Sequence, residues 1–99
     1  MNTFQEIIKG DIPVLVDFHA DWCEPCKTMQ PILKVLKQKF GNQLKILKIN
    51  VDSNPAVSEK FNVRGVPTFI LFSKGLESWR QSGIIEENNF ASIIENKIN

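Results

Sequence analysis

At 99 residues the chain can bury one core and is expected to form one domain over residues 1–99; its 42% hydrophobic and 23% charged residues lie in the ordinary globular range. With 12 basic and 11 acidic residues the formal net charge is +1, which leaves no basic footprint for nucleic acid and no attraction to a membrane surface. No apolar run approaches the ~18 residues that cross a bilayer.

The first segment, "MNTFQEIIKGDIPVL", places Glu6 and Asp11 where a secretory leader needs an unbroken apolar stretch. A short helix followed by a cytoplasmic domain is the expectation. "VLVDFHA", Val14 to Ala20, is β-branched and apolar after Pro13, the pattern of a strand buried on both faces, with Asp17 as its exception. From Cys23 to Phe40 the apolar residues Met29, Ile32, Leu33, Leu36 and Phe40 recur at helical spacing between lysines, and Gly41 supplies the stop. Pro31 inside this helix is expected to kink it, because it removes one backbone donor.

"LKILKINVD", Leu44 to Asp52, reads as a second strand, and "NPAVSEKF", Asn54 to Phe61, as a short helix with Pro55 in its first turn. "VPTFILF", Val66 to Phe72, then "SKG", then "LESWRQSG" make a hairpin. Phe90, Ile93, Ile94 and Ile98 mark the stripe of a last helix. The order helix, β, α, β, α, β, β, α predicts an α/β fold, a three-layer sandwich around a mixed sheet.

The only two cysteines stand in "ADWCEPCKTMQP", one helical turn apart. If the helix begins there, Cys23 meets unpaired N–H groups and the positive end of the dipole, which favour a thiolate. Cys23 is then the exposed nucleophile, and a more buried Cys26 attacks the mixed disulfide it forms. Pro25 suits an early helical position, where its missing N–H would be unpaired anyway. Two other readings compete. A static disulfide closing so short a loop constrains little chain entropy. His19, Cys23 and Cys26 form H-x3-C-x2-C, but a closed zinc site needs a fourth ligand and the chain has no second cysteine pair, so no metal is assigned. Asp17 is costly in an apolar strand unless its pKa rises, which suits a proton donor or acceptor near neutrality; a solvated place at a strand end is the plain alternative.

"VDFHADWCEPCKTMQPIL", "KINVDSNP", "VRGVPTFILF", "KG" and Gly83 together resemble the thioredoxin family over nearly the whole chain. The resemblance implies a thioredoxin-like α/β/α sandwich and a protein-disulfide reductase that works by dithiol exchange. It makes Cys23 the attacking and Cys26 the resolving thiol of a redox-active disulfide. Asp17 would be the buried acid that assists the second cysteine, and Lys48 its neighbour. Pro67 would follow a cis peptide bond and face the disulfide. Trp22, Pro25, Gly65, Val66, Pro67 and Gly83 would form the surface that docks substrate. A thioredoxin reductase, a flavoprotein using NADPH, and disulfide-containing targets are the implied partners of a monomer that holds no cofactor itself. The rival reading is a binding module of the same fold whose thiols are not used.

Three features depart from the family's pattern. Glu24 replaces a glycine, and a charge roughly 7 Å from the Cys23 sulfur in water is worth about 0.6 kcal/mol, enough to disfavour the thiolate modestly and make the pair more reducing. His19 replaces a tryptophan and lies on the Asp17 face of its strand, as a member of the proton path or as a solvated strand end. Only thirteen residues precede the first strand, so the family's N-terminal edge strand is expected to be missing, leaving about four strands.

Overall fold

The computed structural model describes residues 3–98. Helix α1 (Phe4–Ile8) starts at Thr3, whose hydroxyl accepts from the Glu6 amide at 3.2 Å. Strand β1 (Val14–His19), helix α2 (Glu24–Phe40) and strand β2 (Lys45–Asn50) follow, with one 3-10 turn at Gly41–Gln43. Helix α3 (Pro55–Lys60), the hairpin of β3 (Thr68–Ser73) and β4 (Leu76–Ser82), and helix α4 (Glu87–Ile98) complete the order read from the residue pattern.

The four strands form a mixed sheet in the order β2-β1-β3-β4, with β1 parallel to β2 and antiparallel to β3. Among the described residues no strand precedes α1, and β2 is an edge. Alternation along β1 separates two apolar layers. Val14, Val16 and Phe18 face α1 and α3, where Phe4, Phe61 and Phe72 pack with ring centroids 5.2–5.9 Å apart. Leu15 faces the other way, into a cluster of Met29, Leu33 and Leu36 from α2 and Phe90 and Ile94 from α4. The sheet is thus the middle of three layers.

Helix α2 runs unbroken through Pro31. Met29 before the proline and Leu33 and Leu36 after it pack into one cluster. At its far end Lys37 Nζ donates to the carbonyls of Gly41 and Leu44 at 2.8 and 2.7 Å, satisfying groups the helix cannot pair itself.

Candidate active site

The site lies where β1 hands the chain to α2. Cys23 is the N-cap of α2 in extended conformation (φ −92°, ψ 108°), and its Sγ accepts from the Cys26 amide at 3.2 Å. Helices start at a residue whose side chain can take an orphan N–H, a place usually filled by an oxygen. Here a sulfur fills it. Glu24 and Pro25 open the helix, and Pro25 has no amide to leave unpaired. Cys23 and Cys26 are joined in a disulfide, with Cα atoms 5.3 Å apart. Among the described residues no three His, Cys, Asp or Glu side chains are gathered as a metal site would need.

The exposure expected for Cys23 is not found: Cys23 is 3% and Cys26 4% accessible. Ala20, Val51 and Val66 pack around the pair and leave little of it open. Attack on this disulfide, or by the thiol it yields, therefore takes place at the rim of an apolar patch. Trp22, beside it, is 69% exposed, and its indole N–H donates to Asp52 at 2.9 Å. Asp52 is held in turn, its own amide donating to Asn50 Oδ1 at 2.8 Å. Nothing in the spacing of Asp52 singles it out as the residue that orients Trp22; the fold alone brings the loop after β2 beneath the indole.

The Val66–Pro67 peptide is cis, as the family resemblance implies. Val66 packs on the disulfide, and Pro67, next in the chain, is buried. Two contacts fix this loop. The Thr68 hydroxyl donates to the Gly65 carbonyl at 2.6 Å, which leaves it to accept from the Ser82 hydroxyl at 2.8 Å. Gly83, at φ +90°, turns its amide to the Pro67 carbonyl at 2.9 Å. The Gly65–Val66–Pro67 run and Gly83, 16 residues further along the chain, are thus one assembly at the ends of β3 and β4.

Asp17 is 3% exposed and its Oδ1 has no hydrogen-bond partner among the described residues. By alternation it lies on the α2 side of the sheet, three residues before Ala20. Burial pushes its pKa up to about 6, while the nearby charges of His19 and Lys48 pull it partly back. Lys48 sits opposite Asp17 in the β1–β2 register but is exposed and makes no ion pair with it. His19 is half-buried at the end of β1. Glu24 is ion-paired to Lys27 at 3.1 Å, with both side chains exposed.

A helix-capping cysteine, its bonded partner one turn on and a cis-proline loop against them, on an α/β/α sandwich, define a thiol–disulfide oxidoreductase. The family model for thioredoxin matches residues 1–96, and the chain belongs to the thioredoxin family. It is 37% identical over 94 residues to the thioredoxin of Rickettsia bellii, covering 95% of this chain and 90% of that one. It is 34% identical over 91 residues to thioredoxin 1 of Synechococcus elongatus, covering 92% and 85%. A mutant thioredoxin of Halobacterium salinarum superposes with a TM-score of 0.87 at 33% identity, covering 96% of this chain and 82% of that one. The protein is a disulfide reductase, and membership implies a thioredoxin reductase and disulfide-bearing proteins as its general partners. No helix among the described residues is long and apolar enough to cross a membrane.

Proposed function

We propose that residues 1–99 act as a single, monomeric domain that reduces protein disulfides in the cytoplasm through Cys23 and Cys26. The carrying observation is the Cys26 amide donated to Cys23 Sγ at 3.2 Å, since that bond and the helix dipole stabilise negative charge on this sulfur. In the reduced protein the Cys23 thiolate attacks one sulfur of a target disulfide. The target's S–S bond breaks, a mixed disulfide forms and one target thiolate leaves. Cys26 then gives its proton to the Asp17 carboxylate and its sulfur attacks Cys23 Sγ. The second target thiolate leaves, and the protein is left as the disulfide described above. Two electrons have passed to the target.

A carboxyl titrating at about 6 is ionised, and so able to take that proton, at neutral pH. Lys48 and His19 act on the step through their charges near Asp17. Trp22, Pro25, Gly65, Val66 and Gly83 present the apolar rim on which a target segment lies, with Pro67 holding the loop. A reductase that draws electrons from NADPH through a flavin recharges the pair.

Insulin-disulfide reduction driven by dithiothreitol tests the reading. The parent should turn over and Cys23→Ser should not, while Cys26→Ser should accumulate a mixed disulfide with its target. Equal activity of parent and Cys23→Ser, or no activity in either, would return the chain to the binding-module reading.

A further inference from the structure

Among the described residues, one side of β2 has no strand paired to it, beside a groove of about 690 Å³ between that strand and α2. Lys45 and Val51 donate their amides to the Pro13 and His19 carbonyls on the β1 side, each at 2.9 Å. Main-chain groups alternate sides along a strand, so the N–H and C=O of Ile46 and Lys48 point to the open edge. The next residue of that series, Asn50, already has its carbonyl taken by Asn54, at 3.0 Å from the backbone amide and 3.1 Å from the side chain. Two consecutive edge positions, each with a donor and an acceptor, are left for a short added strand.

The groove has an apolar floor of Pro31, Leu33 and Ile46, and Lys34, Lys37 and Lys48 at its rim, with no acid in its lining. Lys37 is committed to the end of α2. Lys34 and Lys48 are exposed, and among the described residues neither pairs with an acid. Lysines on a strand edge deter pairing with a like-charged strand. An acidic strand meets the opposite condition.

We propose that this groove docks an extended acidic–apolar segment of a partner protein, added to the sheet at Ile46 and Lys48. Apolar residues of that segment lie opposite Ile46 and Leu47, and a carboxylate lies opposite Lys48 and beside Lys34. A second copy of this chain suits the site poorly. Two β2 edges paired antiparallel would put both α2 helices on one sheet face and line the seam with the lysines of both copies. A nucleic-acid strand finds no aromatic side chain in the lining on which to stack.

The probe is a capped peptide of serine, glutamate, valine, isoleucine, valine, glutamate and serine, in that order, which reads alike in either strand direction. Titrated into oxidised protein, it should move amide resonances at residues 30, 32–37 and 46–48 and leave Trp22, Val66 and Gly83 in place. Lys34→Glu should weaken binding about tenfold or more, whereas Lys39→Glu, the same charge change on α2 outside the groove, should weaken it less than about twofold. N-methylation of alternate peptide bonds should also weaken binding about tenfold or more, since the methyl groups block strand pairing. Cys23→Ser should bind like the parent, which keeps this outcome separate from the dithiol chemistry. The proposal is overturned by no shift at millimolar peptide, by shifts centred on Cys23, by an N-methylated peptide that binds as well, by an oligothymidylate that gives the same shifts, or by a dimer that occupies the edge.

Discussion

At Asp17 a carboxyl on a buried sheet face, with one oxygen unsatisfied, is held near pKa 6 against an ordinary 3.8. A folded-state pKa above the unfolded one means the folded protein holds the proton more tightly. The associated stability is fully present below about pH 4 and is lost as pH rises through about 6. A shift of this size corresponds to about 3 kcal/mol. The stability of Asp17→Asn relative to the parent should therefore climb by about that amount between pH 3 and pH 8, whatever the amide itself costs in the core. Urea titrations of both oxidised proteins across that range check it; parallel curves would show that Asp17 is not titrating there. Glu24 is a milder case. Lys27 offsets part of its charge, so its effect on the Cys23 thiolate is weaker than that of an isolated acid. Glu24→Gly should lower the Cys23 pKa slightly, and Lys27→Ala should raise it, both read from thiolate absorbance during titration of the reduced protein. A drop in the lysine variant would contradict this account.

Among the elements, α2 and the cis-proline loop carry most of the site, and they were unequally legible. The helical spacing of Met29, Leu33, Leu36 and Phe40 announces α2, and its first residues announce the chemistry, because capping and periodicity are local. The cis bond before Pro67 came from family resemblance, not from the residues, since a proline by itself favours trans. Gly83 shows what spacing cannot reveal: its φ of +90° and its bond to Pro67 depend on β4 lying beside β3. No atom lies within 4 Å of where a Cβ would sit, so the cost of Gly83→Ala is conformational, about 1–2 kcal/mol. A shift of the urea midpoint should report it; an unchanged midpoint would mean the loop accommodates a side chain freely.

On the scale of the whole molecule, β1 and β3 each supply residues to both apolar layers: Leu15, Phe69 and Leu71 to one, Val16, Ile70 and Phe72 to the other. Neither layer can be lost while the strands keep their packing on the other, so unfolding should be a single transition. Tryptophan fluorescence and far-ultraviolet circular dichroism should give superimposable urea curves for the oxidised protein; separate midpoints would divide the sandwich into two units. Composition and periodicity determined by themselves the order of elements and the three-layer class, because both are written in neighbours a few residues apart; the cysteine spacing marked the pair, and the family resemblance gave it its redox reading. Only the tertiary structure decided that Cys23 is covered and that Asp52 holds Trp22. Those properties depend on which distant segments meet, and a local pattern carries no record of that.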